Sequence, residues 1–104
     1  MTWLKLITAK AEAAVETDDP MESDAREGQE FLPTKIVAHY APDGDGWRVS
    51  HVFIAGPVIR KRDGQLGGRN GFVWFSAAPK VATLVQAPEW AKSFAEDNLP
   101  GGAR

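Results

Sequence analysis

Side chains suited to phosphate chemistry gather in one stretch of the chain. Arg60-Lys61-Arg62 and Arg69 are followed by Phe72, Trp74 and Phe75, and Trp47 and Arg48 stand upstream. Guanidinium and ammonium groups neutralise phosphates. Exposed aromatic rings stack on unpaired bases. Cations interleaved with aromatics point to single-stranded DNA or RNA, with Arg48, Arg60, Lys61, Arg62 and Arg69 on phosphates and Trp47 and Trp74 on bases. The competing reading makes Phe72, Trp74 and Phe75 core, since aromatics dominate small cores, and the cations a solubilising hairpin tip.

Other patterns lead to less. Asp43-Gly44-Asp45-Gly46 has the acids of a calcium loop but lacks its further ligands and terminal Glu, so it reads as a turn. The glycines from Gly64 to Gly71 lack the Gly-Lys-Ser/Thr ending of a phosphate-binding loop. His39 and His51 are the two histidines, and with Asp43 they fall short of a convincing metal set. Ser50 beside His51 is no nucleophile–base pair, because adjacent strand residues face opposite ways. The expectation is a non-enzymatic protein with no cofactor and no metal.

Composition sets the frame for these residues. The chain has 104 residues, 43% hydrophobic and 25% charged, which is the size and make-up of a single small domain. With no cysteine, disulfide scaffolds, thiol catalysis and cysteine-ligated metals are excluded. No apolar run approaches the ~18–20 residues that span a bilayer, and Trp3–Ile7 is too short for a signal-peptide core. A cytoplasmic location away from membranes is expected. The net charge of −2 is unevenly spread: residues 1–30 hold eight acids and three bases, and residues 31–104 hold nine bases and six acids. Such asymmetry suits a polyanion-binding surface, or an acidic segment that engages a basic partner. The alternative function is therefore a protein-interaction module or inhibitor acting through the stretch from Glu12 to Glu30.

The elements that must position these residues follow from periodicity. Leu4, Ile7, Ala11 and Val15 share one helical face, which predicts an N-terminal helix over 1–16, with a short strand over Trp3–Thr8 as the competing reading, since Trp, Ile and Thr suit strands. Residues 17–30 are acidic and aperiodic and read as a linker or loop that is dispensable for folding. From residue 31 the period becomes two. Residues 36–40 and 47–54 flank the Pro42–Gly46 turn as a hairpin. Gly56-Pro57 marks a bend, Val58–Arg62 a third strand, and Phe72–Phe75 a fourth. Residues 79–87 fit helix or strand equally. Pro88 suits the first position of a closing helix, with Trp90 and Phe94 four apart on one face.

The run from Arg62-Asp63-Gly64 through Arg69-Asn70-Gly71-Phe72 to Trp90 resembles the positive-cofactor-four transcriptional coactivators. Asn70-Gly71-Phe72-Val73-Trp74-Phe75 with Pro79-Lys80 resembles the SpoVG septation regulators. Both resemblances cover roughly residues 35–97, and both imply a dimeric nucleic-acid-binding protein. Gly71–Phe75 also matches half of an RNA-recognition-motif signature, but too few residues separate it from Val52-Phe53-Ile54 for that fold.

Together these readings predict an α+β fold: an antiparallel, twisted sheet of about four strands packed with one or two helices, with residues 31–104 forming the core of a single domain. Its interior should hold Ile36, Val49, Phe53, Val73, Phe75, Leu84, Trp90 and Phe94. The exposed edges of so small a sheet favour a homodimer.

Overall fold

The computed structural model describes residues 9–78 and 80–101. Its strands are β1 (Ala9–Ala14), β2 (Met21–Glu22), β3 (Glu30–Phe31), β4 (Lys35–Asp43), β5 (Gly46–Ile59) and β6 (Leu66–Ser76). A 3-10 turn (Leu84–Gln86) and helix α1 (Glu89–Asp97) follow. The α+β class and the antiparallel β pairing are as expected, but the sheet has six strands rather than about four. Its order is β1-β4-β5-β3-β2, with β6 also paired to β5.

The spine of the sheet is one long hairpin. Glu30 lies opposite Ile59 and Phe31 opposite Val58. The same register continues through hydrogen bonds from Leu32 N to Pro57 O and from Thr34 N to Ala55 O, both 2.9 Å. So β3 and β4 lie end to end along one edge of β5, interrupted at Pro33. The hairpin turns at Gly44-Asp45, where Gly44 takes φ +62° and Asp45 does not, the pattern of a type II′ turn. The expected third strand is the far end of β5. Gly56-Pro57 does not break that strand, because a close approach of the backbone fills the gap: a Cβ on Gly56 would sit 1.8 Å from Leu32 O. Pro57 has no N–H to offer that carbonyl, so proline and glycine answer the same contact.

The chain divides into two compact units, and β4, β5 and β6 each contribute to both. One comprises Met1–Ala11, Val37–Val52 and Phe75–Arg104. Here Val37, Ala38, Tyr40, Val52 and Phe75 are buried with Ala87, Ala91 and Ala95. Helix α1 turns its small-residue face inward, and Trp90 is 37% exposed. The helical face expected inside, Trp90 and Phe94, is displaced by alanines four apart, which allow close backbone approach. Tyr40 Oη donates to Ala95 O at 2.7 Å, satisfying one of the last-turn carbonyls that a helix leaves without a partner.

The other unit comprises Glu12–Ile36 and Phe53–Trp74. Phe31, Pro33, Ile36, Ile54 and Val73 are buried in it, together with Ser23, Gly56 and Gly71. β2 pairs with β3, β3 with β5, and β5 with β6. Immediately after β2 the chain reaches β6: Asp24 N donates to Phe72 O (2.7 Å) and Trp74 N donates to Asp24 Oδ2 (3.0 Å). Four strands thus close into a small ring. Gly71 is required there, since a Cβ would lie 2.9 Å from Phe31 Cβ and 3.1 Å from Ser23 Oγ.

Three expectations are corrected. Residues 9–14 are a strand with alternating burial rather than part of a helix; the rest of the helical stretch, 1–8, lies outside the described residues. The acidic stretch 17–30 contains β2 and the ring closure, because Ser23 and Asp24 bond to β6 instead of to water. The inward side of β5 is Val52 and Ile54, both 0% exposed, and not the side bearing Val49 and Phe53.

Candidate nucleic-acid interface

Two turns stand side by side at one end of the ring, because Glu30 pairs with Ile59. The first joins β2 to β3. Its base is set by Ser23 N donating to Gln29 O (2.8 Å) and its tip by Gln29 N donating to Arg26 O (3.1 Å). Gly28 supplies the φ of +77° that the tip needs. Ser23 Oγ fixes the loop, accepting from Phe72 N (3.3 Å) and Ala25 N (3.0 Å). The second turn joins β5 to β6. Arg60 N donates to Gln65 O at 2.8 Å and Gly64 N to Arg60 O at 2.7 Å. Asp63 accepts from Arg60 Nε (3.2 Å) and Nη2 (2.9 Å), and from Gln65 N (3.0 Å). The Arg60 guanidinium, followed by the Gln65 amide, holds the Asp63 carboxyl below the usual carboxylate range.

Two clefts open between these elements. One, of about 300 Å³, is lined by 26–29 and 58–61 and carries Arg26, Arg60 and Lys61 against the single acid Glu27. The other, of about 240 Å³, is lined by Val58, Arg60, Gly67, Gly68 and Arg69. Val58 and Arg60 belong to both. Among the described residues, Arg26, Lys61, Arg62 and Arg69 have no ion-pair partner, whereas Arg60 is held by Asp63.

The structure thus brings Arg60, Lys61 and Arg69 together and leaves Arg62 exposed on the same turn. Trp47 and Arg48 line neither cleft and belong to the other unit. Trp74 sits in an aromatic cluster: the Phe53 ring lies 4.6 Å from Trp74 and 5.9 Å from Phe72, centroid to centroid. Phe53 and Phe72 are half-buried and Trp74 is 43% exposed, while Phe75 is core at 8%. The aromatic strand therefore divides by alternation. Phe72 and Trp74 point away from the ring interior, and Val73 and Phe75 are buried.

Within β6 the same alternation sets Arg69, on the face of Val73, opposite Phe72 and Trp74. Arg60 and Lys61 follow the end of β5 at Ile59. Phe53 and Arg60 are seven residues apart, roughly 23 Å along the strand. Gly68, Arg69 and Asn70 are exposed between the two.

Reading the sequence missed Arg26 and Phe53. Arg26 was hidden in an acidic run. Phe53 reads as core in the sequence because its alternation partners are equally apolar. The available signal is Gly28, the single glycine of the acidic stretch, two residues after Arg26. His39 and His51, in the other unit, stack with ring centroids 4.5 Å apart. No group of three or more metal-ligating side chains occurs among the described residues.

No family model, curated protein or solved structure matches this chain.

Proposed function

We propose that the protein is a non-enzymatic binder of single-stranded nucleic acid. The reading rests on the convergence of Arg26, Arg60, Lys61 and Arg69 on two adjoining clefts, with Glu27 as the one acid in their linings. Clustered cations in a concave site attract polyanions and raise their local concentration. Phosphates occupy the clefts. The strand then crosses the exposed Gly68–Asn70 stretch, and its bases reach Trp74 and Phe53, where each stacked base contributes ~1–3 kcal/mol. Duplex DNA fits this layout poorly, since its bases are not free to stack on side chains.

The test is anisotropy of labelled oligo-dT and oligo-U against rising salt. Log affinity should fall with log salt at a slope of about −0.7 per phosphate contact, hence roughly −3 for four cations. Trp fluorescence should be quenched on binding. Absence of binding to both strands at low salt, where attraction is least screened, would sink the reading.

A further inference from the structure

We propose that the cleft between the 26–29 turn and the end of β5 is a phosphate-monoester site that takes the terminal phosphate of a nucleotide strand. This deepens the single-strand reading, on which it rests, by giving the protein a preferred end. Charge is the first argument. Arg26 and Lys61 line the cleft without ion-pair partners, and Arg60, whose charge Asp63 shares, keeps Nη1 for a ligand, with Glu27 as the acid in the lining. A terminal monoester carries about −1.5 to −2 at pH 7 on three free oxygens, whereas an internal phosphodiester carries a single negative charge on two. Three cationic donors match the former.

Size is the second argument. A volume of about 300 Å³ lies at the lower end of the ~300–1,000 Å³ of ligand pockets. It accommodates a phosphate with its sugar and not a run of nucleotides. Val58 and Ile59 supply apolar wall for the sugar. Gln29 lines the same cleft, and its Oε1 is enclosed with no hydrogen-bond partner. A buried acceptor left unmade is unfavourable. A sugar hydroxyl beside the phosphate provides the missing donor once the amide turns toward it, which bare phosphate cannot do as well.

Preorganisation is the third. The 26–29 turn is closed by Gln29 N to Arg26 O, and the loop base is tied to β6 through Ser23 and Asp24. Asp63 holds Arg60 by Nε and Nη2 and leaves Nη1 to a ligand. The Lys61 ammonium lies over Gly28, 3.5 Å from where a Cβ would stand. The turn backbone and the Arg60 guanidinium are thus held before a ligand arrives.

The experiment uses the full chain and internally labelled oligo-dT bearing phosphate or hydroxyl at each end. A phosphate on one end should tighten binding roughly fivefold, the worth of about one exposed charge contact. In Arg26→Ala and in Lys61→Ala that ratio should fall to one, whatever happens to overall affinity. Equal affinity for phosphate-ended and hydroxyl-ended strands in the unaltered protein overturns the terminal-phosphate site and leaves single-strand binding standing. A preference that survives both substitutions overturns its assignment to this cleft. A second arm titrates AMP and inorganic phosphate while following the Gly28, Gln29 and Lys61 amide resonances. Saturable shifts with AMP, without binding of any strand, keep the monoester site and overturn the strand reading. No response to oligonucleotide, AMP or phosphate overturns both.

Discussion

His39 and His51 show how a single contact sets a pH response. Their stacked rings are half-buried, and Ser50 Oγ lies 3.1 Å from His51 Nδ1, a contact that corrects the expectation that these adjacent strand residues point apart. Burial, and then the charge of His39, push His51 below the ordinary histidine value of 6.5. The unfolded chain therefore takes up more protons than the folded one as pH falls through about 6.5. The contribution is fully present above that value and is lost progressively below it. The melting temperature should hold between pH 8 and 7 and decline toward pH 5. His51→Gln should flatten the decline, and His39→Gln should move the His51 NMR titration toward the ordinary value; an unchanged His51 midpoint would show the stack is electrostatically silent. Tyr40 makes a comparable case with a neutral bond. Tyr40→Phe strands the buried Ala95 carbonyl, at about 1–3 kcal/mol. For a domain of this size each kcal/mol corresponds to about 4–8 °C in Tm.

At the scale of elements, two glycines separate space from conformation. Gly56→Ala forces a methyl into Leu32 O, which would be 1.8 Å away. Backbone cannot yield as a side chain does, so the loss should exceed the ~1–3 kcal/mol of ordinary overpacking. Gly44→Ala meets nothing within 4 Å and suffers through its φ of +62° alone, about 1–2 kcal/mol. Denaturant melts of both variants check the order. Deletion of 17–30 separates the acidic-linker expectation from the observed ring: it removes β2 and the Ser23 and Asp24 bonds to β6, so the melt should collapse rather than shift by a few degrees. These contrasts also mark how far the sequence was legible. Period two around a Gly-rich turn marks β4 and the first part of β5, a continuous bulky run marks only the end of β6, whose start at Leu66 lies among the glycines of an expected turn, and Pro88 marks α1. Alternation found the two faces of β5 but could not rank them, because Val49 and Phe53 are as apolar as Val52 and Ile54. Composition misread 17–30, since a two-residue strand tied down by one serine and one aspartate leaves no periodic trace. The basic turn was visible as a cluster. Its partner turn was not, and half of the cleft lining went with it.

For the whole molecule, the decisive quantity is where charge sits rather than its total. A net charge of −2 argues against polyanion binding, yet the ring end collects Arg26, Arg60, Lys61 and Arg69. The salt slope counts local contacts and is largely indifferent to the global sum, so it can map the site residue by residue. Lys61→Ala and Arg69→Ala should each flatten the slope by about 0.7. Arg48 lines neither cleft, so Arg48→Ala should leave the slope alone. Asp63→Asn works in the opposite direction. It releases Arg60 Nε and Nη2 and removes a carboxylate beside the site, so affinity should rise at low salt and the gain should fade as salt screens it. The Lys61, Arg69 and Arg48 variants are surface changes, expected to move stability by no more than about 0.5 kcal/mol; Asp63→Asn also weakens the bonds to Arg60 and Gln65 that hold the turn, and Tm confirms that each variant is folded. If Arg48→Ala flattens the slope as much as Lys61→Ala does, binding is a diffuse property of the surface, and the clefts at the ring end hold no special place in it.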